Sequence, residues 1–153
     1  MTAVVVEGVD GLRALIGKQL GWSEPLVVTQ QMVNEFASAT GDHQWIHVDV
    51  GRAVAESPFG GPIAHGYLTL AFIPVFLPQL IDVLGFRMGV NYGAERIRFP
   101  APVPVGASLR ATSVLDAVED VAGGIQLTLT VTIQDVDAPK PACVATVLLR
   151  RYT

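Results

Sequence analysis

The sequence predicts an α+β domain in which helices from the first half of the chain cover a sheet formed by the second half. Helical spacing dominates before Phe86, and period-two alternation dominates after it. Between residues 57 and 81 the chain contains no Asp, Glu, Lys or Arg. Because one face of an antiparallel sheet must be covered, this apolar segment is the natural cover. With 153 residues, we expect one domain spanning 1–153.

Four segments have helical spacing or helix boundary signals: 9–20, 30–39, 51–56 and about 65–84. Thr29 is the expected N-cap of the second helix, and Gly41 lies just beyond its end. Pro74 and Pro78 should kink the fourth helix or shorten its regular part. PLVVTQ reads as a short strand between the first two helices.

Four longer strands are predicted, at 86–99, 108–118, 124–134 and 142–152. GIQLTLTVTIQ is the clearest, since apolar residues alternate with Gln and Thr throughout it. In FRMGVNYGAERIRF the parity of the apolar residues changes midway. A β-bulge at Gly93 would bring Met88 and Ile97 onto the same face.

Composition excludes several classes of protein. The formal net charge of −4 leaves no basic stripe for a phosphate backbone, so we expect no nucleic-acid partner. Cys143 is the only cysteine and should be a buried core residue of a protein from a reducing, cytoplasmic compartment. The first twenty residues do not resemble a secretory signal. The charge-free segment contains prolines and has acidic flanks, which favours a buried helix over a membrane span.

All three histidines, His43, His47 and His65, fall between residues 40 and 66. Asp42 and His47 are five residues apart and can converge only if the intervening chain is irregular. Together they would supply a proton acceptor and donor near neutral pH. The alternative is that Asp42 caps a turn and His47 is a satisfied core histidine.

A metal site is a third interpretation, since Asp42, His43, His47 and His65 are all ligand types. The sequence lacks an HExxH glutamate and a closed cysteine set, so we expect no metal.

Gly66 follows His65 at the start of the apolar helix. The first N–H groups of a helix have no partner within it, and glycine allows a carbonyl oxygen to approach closely. The alternative is that Gly66 only permits close packing.

FASATGDHQWIHVD, GGPIAHGYLTLAF and RIRFPAPVPVG, in this order, resemble the MaoC-like dehydratase family, the (R)-specific 2-enoyl-CoA hydratases. The resemblance runs from about Val27 to the end and is strongest to the nodulation-protein-N-like subgroup. It implies a hot-dog fold, in which a curved antiparallel sheet wraps a long central helix, and usually a homodimer. The family's D-x-x-x-x-H pair corresponds to Asp42 and His47, and its H-G glycine to Gly66.

The family usually has D-x-N-P-x-H, whereas this chain has Gln44 and Trp45 at the middle positions. Gln44 keeps the amide with one more methylene, so the resemblance implies a substrate-binding role for it with altered geometry. We expect Trp45 to be a packing residue.

The resemblance implies reversible hydration of trans-2-enoyl-CoA to (R)-3-hydroxyacyl-CoA, with Asp42 and His47 activating water and the Gly66 amide stabilising the thioester oxyanion. No cofactor is expected, since coenzyme A enters as part of the acyl-CoA substrate. Arg87, Arg96 and Arg98 could meet the CoA phosphates or could simply be solvated. Two alternatives stay open: an acyl-CoA thioesterase, and a non-catalytic acyl-binding or partner subunit.

Overall fold

The computed structural model describes residues 2–153. In chain order its elements are β1 (Val4–Glu7), α1 (Gly8–Arg13), β2 (Leu26–Val27), α2 (Gln30–Thr40), α3 (Trp45–Val48), α4 (Val50–Glu56), α5 (Gly66–Ala71), α6 (Ile73–Leu80), β3 (Ile81–Leu84), β4 (Met88–Arg98), β5 (Ser108–Val121), β6 (Gly124–Asp135) and β7 (Cys143–Tyr152). Five strands form one antiparallel sheet in the order β2-β5-β6-β7-β4. The sheet curves around α5 and α6, so the predicted α+β class is confirmed.

The second helix of the prediction is confirmed almost residue for residue. Thr29 Oγ1 accepts a hydrogen bond from the Met32 N–H at 3.2 Å, as an N-cap side chain does. Gly41 ends α2 with a left-handed φ of 81°, a conformation that favours glycine. The short helix predicted at 51–56 is also present, as α4.

The first predicted helix is too long, because α1 ends at Arg13. After it, the Gly17 N–H donates to Leu115 O at 2.8 Å and the Leu20 N–H donates to Ser113 O at 2.9 Å. These bonds attach the chain to β5 in place of a continued helical ladder. Leu20 is nevertheless buried, so its apolar character reflects the core rather than a helix.

The apolar central segment forms two helices rather than one. α5 stops at Ala71, and α6 follows after Phe72 with Pro74 in its first turn and Pro78 inside it. α6 ends at Leu80, so the prediction of helix to Leu84 is wrong. Residues 81–84 form β3 instead, which pairs in parallel with β1.

The long strands are confirmed, and β6 buries one set of alternating residues as predicted: Ile125, Leu127, Leu129, Val131 and Ile133 are all at most 2% exposed. β4 contains two bulges where one was predicted, at Tyr92 and at Glu95. Met88 pairs with Tyr152 and Ile97 with Ala145, which lie on opposite faces of β7. The second bulge therefore cancels the change of face that a single bulge would produce.

The core lies between α5–α6 and the sheet, where Phe76 and Leu115 are fully buried. Cys143 is a buried free thiol in this core, as expected. Its burial raises the pKa of the thiol from 9.0 to about 11. Within residues 2–153, no helix has both the length and the apolar character to span a membrane.

Candidate active site

The site forms where the chain leaves α2 and enters the short helix α3. Gly41 ends α2, and residues 42–44 have no regular structure. The Gln44 N–H points to Asp42 Oδ1 at 3.4 Å, and the His47 N–H donates to Gln44 O at 3.0 Å. This irregular turn brings a carboxylate oxygen of Asp42 within 4.8 Å of a ring nitrogen of His47, so the two side chains converge as predicted.

His47 is buried, with 6% of its surface exposed, and its Nδ1 lies 2.6 Å from Ile63 O. A carbonyl oxygen can only accept, so Nδ1 is the donor and carries a proton. Gln30 Nε2 also donates to His47 O at 2.8 Å, which fixes the backbone. The structure therefore assigns Nδ1 to the hydrogen bond with Ile63 O and leaves Nε2 as the ring nitrogen that can exchange a proton.

His65 contributes more to the site than the sequence indicated. It is the N-cap residue of α5 and is 3% exposed, and its Nε2 donates to Asp42 O at 3.0 Å. Its ring stacks on that of His47 with centroids 3.9 Å apart and planes at 26°. Phe36 packs on the same ring at 4.9 Å. His65 thus contacts both members of the predicted pair, a role that its position one residue before Gly66 did not reveal.

Asp42, His47 and His65 offer one metal-ligand atom each, all within 4.8 Å of one another, and could hold a metal ion. His43 is exposed and does not belong to this group. Imidazole lone pairs lie in the ring plane, so the stacked rings direct them side by side rather than toward one ion. We therefore retain the acid–base interpretation. The Asp42 carboxylate is exposed and also accepts the Gln44 N–H, so the turn-capping alternative describes one of its contacts.

Gly66 is the first residue of α5, where its N–H has no acceptor within the helix. A Cβ built on Gly66 would lie 2.9 Å from Cδ2 and 3.0 Å from Cε2 of Phe99. The ring of Phe99 thus packs directly on the glycine backbone. This contact supports a packing role for Gly66, and the donor role of its N–H stays a prediction.

A cavity of about 330 Å³ opens between α3, α5 and the loop that joins β4 to β5. His47 and Gly66 line it, together with Thr69, which the sequence analysis did not select. The rest of the lining is apolar and includes Phe59, Ile63 and Phe99. The sequence signal for Thr69 was available, since it is a hydroxyl residue one helical turn after Gly66 in an otherwise apolar segment.

Gln44 does not line this cavity, and its side chain is exposed. Trp45 is half-buried beneath the guanidinium of Arg52, which lies 4.2 Å from the ring centroid, so Trp45 is a packing residue as expected. Arg87, Arg96 and Arg98 are exposed. The structure thus places His47, Gly66 and Thr69 along one cavity. Asp42 and His65 lie beside His47 but are not among the residues that line this cavity.

Sequence comparison places these residues in a known family. The sequence model of the MaoC like domain matches residues 12–136. 3-Hydroxyacyl-thioester dehydratase Z of Mycobacterium tuberculosis is 50% identical over 145 residues, covering 94% of this chain and 95% of that protein. Nodulation protein N of Rhizobium meliloti is 44% identical over 136 residues, covering 86% of this chain and 83% of that protein.

Solved structures agree in fold. A monoamine oxidase regulatory protein from Archaeoglobus has a TM-score of 0.76 at 22% identity, covering 100% of this chain and 99% of its own. R-hydratase PhaJ1 from Pseudomonas aeruginosa has a TM-score of 0.67 at 20% identity, covering 90% of this chain and 81% of its own. The HadBC complex of Mycobacterium tuberculosis, a 3R-hydroxyacyl-ACP dehydratase, contains a chain with a TM-score of 0.61 at 19% identity, covering 89% and 96%. These likenesses show the hot-dog fold.

The fold and the comparisons define a hot-dog protein of the dehydratase class, that is, a hydro-lyase. The chain belongs to the MaoC-like dehydratase family.

Proposed function

We propose that the protein hydrates trans-2-enoyl-CoA reversibly to (R)-3-hydroxyacyl-CoA. One observation carries this proposal: His47 lines the cavity with Nδ1 held by Ile63 O, which leaves Nε2 to exchange a proton, and a nitrogen of its ring lies within 4.8 Å of an Asp42 carboxylate oxygen. Addition of water needs one group that removes a proton and one that returns a proton. An imidazole next to a carboxylate supplies both.

In the proposed reaction, a water molecule held by Asp42 and His47 attacks C3 of the enoyl group. The pair removes one proton from this water as the C–O bond forms, and one proton reaches C2 as the double bond is lost. The electron pair of the double bond passes through the thioester, so negative charge develops on its carbonyl oxygen. The Gly66 N–H would donate to this oxygen and stabilise the charge.

Neither a metal nor a redox cofactor is part of the proposal, because hydration changes no oxidation state overall and the Asp42–His47 pair moves the protons. Coenzyme A enters with the substrate. We also propose a cytoplasmic location, supported by the single, reduced cysteine of the chain.

We further propose a homodimer formed through β4. This strand is at the edge of the sheet, and Met88, Val90 and Tyr92 on it are 57%, 44% and 57% exposed. A long edge strand with exposed apolar side chains is a natural site for pairing with another chain. HadBC is a complex, so a mixed assembly is the alternative to a homodimer. Sedimentation equilibrium of this protein alone tests the proposal: a mass of two protomers supports the homodimer, and a mass of one protomer contradicts it.

The activity is tested with purified protein and crotonyl-CoA by following enoyl absorbance and free thiol together. Loss of absorbance without thiol supports hydration, thiol release supports the thioesterase alternative, and neither change supports a non-catalytic subunit. Asp42→Asn and His47→Gln should each lower kcat by at least about 100-fold, as general acid–base groups do. His43→Gln is the matched control, because His43 is exposed in the same loop. Full activity in a folded Asp42→Asn or His47→Gln variant would contradict the site assignment.

A further inference from the structure

Thr69 has a buried hydroxyl without a partner. The residue is 1% exposed, and its Oγ1 makes no hydrogen bond to any atom of residues 2–153. A threonine inside a helix commonly donates to the carbonyl four residues earlier, which here is His65 O. That carbonyl already accepts from the backbone N–H groups of Leu68 at 3.1 Å and Thr69 at 3.2 Å. Buried polar groups are rarely left unpaired, so this hydroxyl needs an explanation.

The position of Thr69 points to a ligand. It lines the same cavity as His47 and Gly66, and among the residues that line this cavity only His47 and Thr69 have a side-chain nitrogen or oxygen. Side chains three residues apart are neighbours on a helix surface, and they tilt toward the helix N-terminus. The Thr69 side chain therefore lies over the turn that begins with Gly66.

We propose that Thr69 is a substrate-binding residue whose hydroxyl donates a hydrogen bond to the thioester carbonyl oxygen, beside the Gly66 amide. This inference rests on the proposed hydration. The oxygen accepts two hydrogen bonds through its two lone pairs, and its negative charge grows as water adds to C3. Both donors are fixed before the substrate arrives, so they stabilise the transition state more than the ground state.

Two substitutions separate this role from packing. Thr69→Val removes the hydroxyl at similar size, and Thr69→Ser keeps the hydroxyl while losing a methyl group. Loss of one oxyanion donor lowers kcat by about 100-fold in other enzymes, so we expect a loss of this order for Thr69→Val with crotonyl-CoA. Thr69→Ser should stay close to the wild type. Thr69→Val should also unfold in urea at the same concentration as the wild type or a higher one, because the lost hydroxyl had no partner.

A spectroscopic readout tests the contact without turnover. Hydrogen bonds to the carbonyl oxygen polarise a conjugated thioester, so 2,4-hexadienoyl-CoA should absorb at longer wavelength when bound to the wild type and to Thr69→Ser. The shift should be smaller with Thr69→Val at saturation.

The outcomes distinguish the two levels of the proposal. The role of Thr69 is overturned if Thr69→Val has the same kcat and the same absorbance shift as the wild type. It is also overturned if Thr69→Val and Thr69→Ser lose kcat equally and both unfold at lower urea concentration. A wild-type protein that binds the dienoyl probe but does not hydrate crotonyl-CoA refutes the proposed function, while the shift still decides the contact of Thr69. A wild-type protein that does neither refutes both.

Discussion

The contact between Gly66 and Phe99 makes a sharp prediction for Gly66→Ala. The new Cβ would meet Cδ2, Cε2 and Cγ of the ring at 2.9, 3.0 and 3.2 Å, closer than carbon atoms pack. Overpacking of this kind costs about 1–3 kcal/mol, and alanine in a helix returns at most about 1 kcal/mol relative to glycine. We therefore expect Gly66→Ala to lower the free energy of unfolding by about 1–2 kcal/mol.

The cause is tested by removing the ring. A Phe99→Ala background removes the three atoms nearest to the Cβ at position 66, so Gly66→Ala should be neutral or slightly stabilising there. Urea unfolding of the wild type, both single variants and the double variant gives the coupling energy, which we expect to be about 1–3 kcal/mol. A Gly66→Ala cost that is the same in both backgrounds within about 0.5 kcal/mol would refute the packing argument.

The same four proteins report on the amide. Alanine retains the backbone N–H that we propose as a donor, so the double variant should hydrate crotonyl-CoA at the rate of Phe99→Ala alone. A further large loss of kcat in the double variant would show that the absence of a side chain matters to the substrate itself.

Two more predictions concern buried groups. His65→Gln keeps an N–H near the position of Nε2, whereas His65→Phe keeps the stacked ring and loses the donor. If the bond to Asp42 O positions the catalytic loop, kcat with crotonyl-CoA should be about 5-fold lower in the Phe variant than in the Gln variant. A Phe variant as active as the wild type would show that stacking alone suffices. Burial raises the pKa of Cys143 from 9.0 to about 11, so at pH 8 it should react with a disulfide reagent about 100-fold more slowly in the folded protein than an ordinary thiol does. Fast reaction in the absence of urea would contradict its burial. Because the folded state favours the thiol form of Cys143, the stability gained from this preference is complete below pH 9.0 and is lost as the pH rises toward 11. Urea unfolding of the wild type and of Cys143→Ala at pH 8 and pH 10.5 measures this loss.

Local signals predicted the elements that depend on local chemistry. α2 follows directly from a threonine N-cap and a terminal glycine, and β6 from strict alternation, because each residue there performs the role its type favours. The convergence of Asp42 and His47 was expected only if the chain between them is irregular, and residues 42–44 are irregular.

Tertiary pairing decided the elements that the sequence misassigned. The chain after Arg13 bonds to β5, and residues 81–84 bond to β1, so distant backbone groups replaced the helical ladder in both places. Helical spacing of apolar residues in both segments reflected burial alone. The second bulge in β4 falls at Glu95 rather than at a glycine, so the sequence contained no signal for it.

The contacts of His65 and Thr69, which the sequence did not indicate, also depend on tertiary structure. The importance of His65 depends on two contacts across more than fifteen residues of chain, to Asp42 O and to the His47 ring. The importance of Thr69 depends on the carbonyl of His65 being occupied by two amides, which only the geometry of the first turn of α5 reveals.

The parallel pairing of β1 with β3 affects the order in which the fold comes apart. It joins residues 4–7 to residues 81–84, so forming it closes a loop of more than seventy residues for only four paired positions, most of them exposed. Because the entropy cost of closing this loop is offset by few contacts, the β1–β3 pairing should open at a lower free energy than the central sheet. It lies at the end of α6, whereas the His47 cavity lies at the start of α5. Fraying of the amino-terminal strand can therefore begin at the far end of the helix pair while the groups around His47 keep their arrangement.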